Sequence, residues 1–440
     1  MVPLNSPGKN DRENGNHSVV NRNSDGAMRV LWIASSCSLQ DDKESPGLTG
    51  RYEQVVLQYC RDRVRLAVAY VADGRNDSVM TRGNITYYAV NADMGVGISE
   101  TEWERARAEL LKVIADFKPE IIQCFGAEWP YGRIAESVSV PVVFHMMGFL
   151  NIYFLSTGMA RGRLEAPPGA WKRVKKMIRR LAGRDDPPVS RVYRSMEFER
   201  RAMKAGRYFM GRTVWDRNIV KYYSPGSHYF HVPELVKPKI YSAPERWRYH
   251  ERSRLRLFTL SSADDRKGNE IILRTAGLLK DLLGLDFEWI VAGQREFFPF
   301  FEEKTGIDRR DVNIQLTGMI GVRQIIDELI AADFFIHPSV MDNSPHSICE
   351  AQLIGCPVIA SNVGGVPQLV EDGVTGWLYP YNEPHTLAFM IGNLRKEAEL
   401  LSRISANEIE MSHKRHDPER IARTLLQTYE RILQYENEDK

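Results

Sequence analysis

Two carboxylates eight positions apart, Asp342 and Glu350, sit in the run FFIHPSVMDNSPHSICEAQLIGCPVIASNVGG at residues 334–365. The run reads as a short apolar strand ending near His337-Pro338, a loop carrying Asp342, Asn343 and Ser344, and a helix opening near Pro345 with Glu350 in its early turns. A carboxylate on the cleft side of a helix start can accept two hydrogen bonds from a ribose diol, while loop amides and Asp342 grip sugar hydroxyls. Taken in isolation, the same residues read rather as a helix cap and a solvated helix glutamate favoured by the dipole. A second junction, LSSADDRKGNEI at residues 260–271, ends a strand in Ser261-Ser262 and opens a helix around Lys267-Gly268. A lysine reaching back over a helix N-terminus supplies charge where a diphosphate leaving group develops its own; the alternative is a solvated surface lysine. His145 closes the apolar run PVVFHMMG at residues 141–148, where a lone histidine is either a satisfied core residue or an acid–base group. Gly47 and Gly50 precede the first helix and would let the backbone approach a phosphate. In YFMGRTVWD at residues 208–216, Arg212 follows a strand end and precedes a Thr213/Asp216 capping box.

The stretch DNSPHSICEAQLIGCPVIASNVGGVPQLVEDGVTGWLYP, residues 342–380, resembles the donor-site signature of the retaining glycosyltransferases of the large family 4 type, glycosyl transferases group 1. That family includes many bacterial polysaccharide and lipid-linked sugar transferases, and it sets two acidic residues eight positions apart ahead of a Gly-x-Pro-Val-Ile-Ala-Ser strand. Here the pair is Asp342 and Glu350, and the strand is residues 355–361. The resemblance implies Glu350 on the ribose hydroxyls, Asp342 on the transferred sugar, Lys267 on the leaving diphosphate and His145 facing the donor sugar. It further implies donor contacts from Gly50, Arg212, Ser262, Asn343, Ser344 and His346. Three departures stand out. Asp342 occupies a position where the family has glutamate, and Asn343-Ser344-Pro345 replaces the common Gly-Phe-Gly, so that Pro345 offers no N–H. Ser262 stands where an arginine phosphate clamp is usual, five residues before Lys267. The Asn-Ser-Pro version implies an altered donor preference, the shorter Asp342 a closer loop or a water that fills in, and Ser262 a phosphate clamp that is missing or replaced by Arg266 or a group from the other domain.

The elements that must position these residues follow from alternation. Short apolar runs at residues 29–35, 66–72, 85–90, 120–125 and 140–146 are separated by helical patterns, one of them at 101–117 opened by a Ser99/Glu102 capping box. After a Pro-, Arg- and Glu-rich stretch at 233–254 the alternation restarts, with runs at 255–260, 287–292, 312–316, 334–338 and 358–361. Such alternation means parallel βαβ units. The expected architecture is α/β, the GT-B arrangement of two Rossmann-like doubly wound parallel-sheet domains facing across a cleft. Residues 1–27 form a tail without aromatic residues, 28–245 an acceptor-side domain and 253–415 a nucleotide-sugar donor domain, with a helix at 418–436 returning onto the first. A chain of 440 residues exceeds what one core sustains.

A formal net charge of +2 excludes a global field for nucleic acid, so no nucleic-acid partner is expected. Five scattered cysteines without a Cys-x-x-Cys pair read as reduced thiols of a cytoplasmic protein. No apolar run reaches the ~20 residues of a membrane span. Neither an Asp-x-Asp nor a His or Cys cluster with metal-ligand spacing occurs, so metal-independent chemistry is expected, with no cofactor beyond the donor itself. The reading is transfer from a nucleoside-diphosphate sugar, UDP favoured, to a glycan or lipid-linked hydroxyl with retention. A sugar-nucleotide epimerase, a phosphorylase and a non-catalytic binding subunit are the alternatives on the same fold. Finally, WKRVKKMIRRLAGR at residues 171–184 pairs an apolar stripe with basic flanks. It suits peripheral contact with an anionic inner membrane face, or a helix packed on its own domain.

Overall fold

The computed structural model describes residues 26–41, 46–72, 79–157, 188–262 and 265–438; the basic stretch 171–184 and most of the N-terminal tail lie outside the described residues. The chain builds two sheets. The first contains β1 (Met28–Ala34), β2 (Val64–Val71), β3 (Val79–Arg82), β4 (Ile85–Val90), β5 (Ile121–Phe125), β6 (Val142–His145), β7 (Tyr208–Gly211) and β8 (His228–His231), in the order β3-β4-β2-β1-β5-β6-β7-β8. The second contains β9 (Leu255–Leu260), β10 (Phe287–Ala292), β11 (Ile314–Gly318), β12 (Phe334–His337), β13 (Val358–Ser361) and β14 (Trp377–Tyr379), in the order β11-β10-β9-β12-β13-β14. Every pairing is parallel except β3 with β4. Chain order reverses between β1 and β5 in one sheet and between β9 and β12 in the other. Those reversals leave crevices at the carboxyl ends of the strands, where open α/β sheets bind ligands.

Strands covered on both faces read as unbroken apolar runs, and β1 shows why. Val30 and Trp32 point into one core with Tyr52, Val56 and Leu425, whereas Leu31 and Ile33 point into the other with Trp103 and Leu110. The helix Glu100–Phe117 that supplies Trp103 and Leu110 opens on the complete Ser99/Glu102 capping box.

Two crossings join the domains. Val232 and Leu235 pack in the first domain's core, but Val236, Ile240, Ala243 and Trp247 pack in the second's. The first domain therefore ends near residue 235 rather than at 245, because the Pro- and Arg-rich stretch contains apolar residues that cap the second core. The return crossing follows the helix Ala398–Arg415, whose Leu401 and Ile404 belong to the second core. His416 marks the joint, and the C-terminal helix Pro418–Glu438 then lays Ile421, Ala422, Leu425, Tyr429 and Ile432 into the first.

Candidate active site

The crevice of the second sheet is built by two chain reversals. Residues 265–267 form a single tight turn, and Gly268 follows with φ +70° before the helix Asn269–Gly277. A Cβ on Gly268 would overlap the carbonyl oxygen of Pro338 at the end of β12, so only glycine lets this turn sit against its neighbour. The turn delivers Lys267 to Asp342, with Nζ 2.6 Å from Oδ2. His337, the last residue of β12, lies 3.6 Å from the same oxygen. Burial on its own would raise the Asp342 carboxyl, but Lys267 and then His337 hold it well below the usual carboxylate range. Asp342 is thus an anion at any working pH, paired with a lysine that a diphosphate could draw away.

Glu350 lies on the helix His346–Ile354, 1% exposed, and accepts a hydrogen bond from Lys237 at 2.7 Å. Arg51, buried on the first-domain helix Leu48–Tyr59, acts electrostatically on the same carboxylate. Gly50 in the first turn of that helix packs against the Asp41 carboxylate, which a side chain there would displace. Ser262 receives a 3.1 Å hydrogen bond from Asn269 Nδ2 at its carbonyl, so this junction holds itself together without an arginine.

Asn343, Ser344 and Arg212 are engaged with side chains and carbonyls of the first domain. Thr213 Oγ1 donates to Asn343 Oδ1 at 2.6 Å, and Asn343 Nδ2 donates to Asp216 Oδ2 at 3.1 Å, so this side chain bridges to the loop after β7. Ser344 Oγ donates to Glu234 Oε1 at 2.6 Å, and Cys349 Sγ lies 3.0 Å from that oxygen. Arg212 donates to the Met147 carbonyl at 3.0 Å and approaches Glu234 Oε2 at 3.7 Å. His416 Nδ1 donates to the Glu234 main-chain carbonyl at 2.9 Å. Burial would raise the Glu234 carboxyl, yet Arg212, His416 and His346 together pull it down to about 2. His346 is half-buried, its ring pushed well toward the neutral form by desolvation and by Arg51. Although Glu234, Cys349 and His416 are close enough to share a metal ion, the glutamate already faces a buried guanidinium, and adding a dication beside it is unfavourable. The cluster works as a seam between domains. Sequence reading passed over Glu234 because it lies in the stretch taken as a linker.

His145 does end β6, but its ring is 1% exposed. Gln123 Nε2 lies 3.4 Å from Nδ1 and Tyr52 Oη 3.5 Å from Nε2, while Phe125 packs 5.4 Å away, centroid to centroid. Tyr52 in turn donates to the Pro233 carbonyl at 2.9 Å, and Gln123 accepts from Tyr429 of the C-terminal helix at 2.5 Å. Burial, reinforced by Arg212, lowers the imidazole to about 3. The ring, expected to face the donor, is packed in the first domain at the end of β6, where it links the strands to both crossings.

Loops from the carboxyl edges of both sheets thus meet at one seam, and two Rossmann-like domains so arranged define the GT-B fold. Residues 254–397 match the family described as Glycosyl transferases group 1. The amylovoran biosynthesis glycosyltransferase AmsK of Erwinia amylovora is 25% identical over 186 residues, 40% of this chain and 44% of that protein. The chain thus spans less than half the length of this curated relative. Sucrose-phosphate synthase from Thermosynechococcus elongatus superposes with a TM-score of 0.69 at 14% identity, covering 93% of this chain and 100% of that one. Anabaena Alr3699/HepE in complex with UDP-glucose gives 0.59 at 15% identity, with 91% and 99% covered. At these identities the superpositions speak for the fold.

Proposed function

We propose that this protein is a glycosyltransferase moving a sugar from a nucleoside-diphosphate sugar, UDP favoured, to a hydroxyl of a glycan or glycolipid, with retention and without a metal ion. The reading rests on the Lys267–Asp342 pair at the reversal of the second sheet, inside the segment that matches the glycosyl transferase family. On donor binding, Lys267 exchanges Asp342 for the diphosphate and stabilises the charge that develops as the glycosidic bond breaks. Asp342, released, accepts a hydroxyl of the transferred sugar, and Glu350 exchanges Lys237 for the ribose diol. The acceptor proton passes to a leaving phosphate oxygen, so that catalysis is positioning and charge stabilisation. The UDP-glucose of the Anabaena structure supports the nucleotide, and the amylovoran relative supports a glycan product. A sugar-nucleotide-binding subunit without transfer is the second reading, favoured by Ser262 and Pro345.

Thermal unfolding with UDP, GDP and ADP tests the first step, since a ligand at ~100 times its Kd stabilises by about 2.7 kcal/mol. UDP should give the largest shift, and no shift with any of them would sink both readings. Proton NMR of the product anomer then decides retention. Among the described residues no helix is long and apolar enough to cross a membrane. We place the protein at the inner membrane face through residues 171–184, and flotation with anionic but not neutral liposomes is the expected result.

A further inference from the structure

The first sheet has its own reversal, between β1 and β5, and the loop after β5 carries a carboxylate there that no other reading uses. Gly126 takes φ +89° and donates its amide to the His145 carbonyl at 2.8 Å. Glu128 folds back over this glycine so closely that a Cβ would lie 2.5 Å from Oε2 and 2.8 Å from Oε1. The glycine therefore makes room for the carboxyl, and the amides of Glu128 and Ala127 steady it. Oε2 is buried and has no hydrogen-bond partner. Orphaned buried oxygens are rare and costly, and one held in a ligand crevice calls for an external partner.

The ionisable groups facing it come from four elements: Tyr131 on the turn Pro130–Glu136, Tyr153 on the helix Leu150–Thr157, Glu199 on the helix Pro188–Ala205, and Arg212 after β7. Glu199 is engaged with the amides of Leu150 and Asn151 at 2.7 and 2.8 Å, and Arg212 faces Glu234. Tyr153 places this crevice opposite the donor side, since its ring lies 4.1 Å from the guanidinium of Arg266, the neighbour of Lys267.

We infer that Glu128 recognises the acceptor: its unpartnered Oε2 hydrogen-bonds a hydroxyl of the acceptor sugar adjacent to the one that is glycosylated. The inference rests on the glycosyltransferase reading and adds to it an acceptor-side positioning residue. Burial, then the neighbouring Glu199 charge, push the Glu128 carboxyl up to about 8 against the opposing pull of Arg212. Below that pH the neutral acid offers both a donor and acceptor lone pairs, matching a hydroxyl that has both. An arriving sugar desolvates the site further and favours the same neutral form.

The test measures UDP release from UDP-glucose with methyl α-glucoside, α-galactoside and α-mannoside as acceptor probes, between pH 6 and 9.5. For the parent, acceptor KM should rise as pH passes 8, because the binding form is the protonated one. Glu128→Ala should raise acceptor KM at pH 7 by roughly 5- to 10-fold, the value of one lost hydrogen bond. Glu128→Gln, neutral at every pH, should stay within about threefold of the parent at pH 7 and lose the rise above pH 8. Stabilisation of each variant by UDP reports that it is folded and binds donor. Unchanged acceptor KM in Glu128→Ala overturns the inference, and so does a pH dependence that persists in Glu128→Gln. A parent that binds UDP and turns over UDP-glucose but ignores all three glycosides overturns the sugar hydroxyl as the ligand. A parent without any UDP-glucose turnover instead removes the glycosyltransferase reading on which the inference stands.

Discussion

Lys267 and His145 show how differently two residues singled out from sequence can be used. Lys267 is a quarter exposed beside an enforced anion, which is where a charge able to follow a leaving group must sit. Lys267→Ala should therefore slow turnover by about 10² to 10³, the ~2.7–4 kcal/mol of one preorganised charge-stabilising donor. A steady-state assay with saturating donor measures it, and an unchanged kcat would take Lys267 out of the mechanism. His145 carries a pH signature in stability. Its folded pKa of about 3 lies below the usual 6.5 of an unfolded chain. The unfolded state thus binds the extra proton, and stability falls as pH drops from 6.5 toward 3. At pH 5 this amounts to about 2 kcal/mol. Urea titrations at pH 7.5 and 5 should show a loss smaller by that amount in His145→Gln than in the parent. An equal loss in both would place the titration elsewhere. Asp342 and Glu350 were legible because both belong to one gapless run. Glu128 and Glu234 were not, for each is a lone acid within two residues of a proline, and only the folding of distant strands gives either its neighbours.

At the scale of elements, the strands legible in sequence are, the edge strand β11 apart, those buried on both faces. The ones missed are β3, exposed along most of its length; β8, with histidines at both ends; and β14, only three residues long. The edge strands β3 and β8 carry no unbroken apolar run, so their pairing is set by the neighbour and not by their own pattern. Turn chemistry behaves likewise. Nothing in the sequence distinguishes Gly268 from an ordinary loop glycine, yet its left-handed backbone against Pro338 sets the position of Lys267. Gly268→Ala should cost more than about 1 kcal/mol, since left-handed strain adds to the overlap. It should also lower turnover although Lys267 remains. Melting temperature and kcat measured together check this, and a destabilised variant with full kcat would separate the turn from the chemistry.

At the scale of the whole molecule, the seam around Glu234 joins loops from both sheets to the return crossing at His416. Glu234→Ala strands the buried Arg212 charge and should cost about 3–5 kcal/mol. Adding Arg212→Met should recover much of that, because removing both partners of a buried pair is far cheaper than removing one. Denaturant midpoints of the two variants decide it, and equal losses would mean that the pair is not the coupling. The C-terminal helix carries a different consequence, for it makes the protein's assembly depend on the order in which a ribosome delivers it. Strands β1 to β8 emerge first, but the face of β1 carrying Val30 and Trp32 is completed by Leu425, and Tyr429 receives the hydrogen bond from the Trp32 ring. At about 5–20 residues per second, the interval between His231 and Glu438 lasts roughly 10–40 s. For that time the first domain waits with one face uncovered while the second, complete in itself once the helix Ala398–Arg415 is out, folds in the gap. A premature stop between residues 415 and 425 would therefore leave the later-made domain intact and strand the earlier-made one.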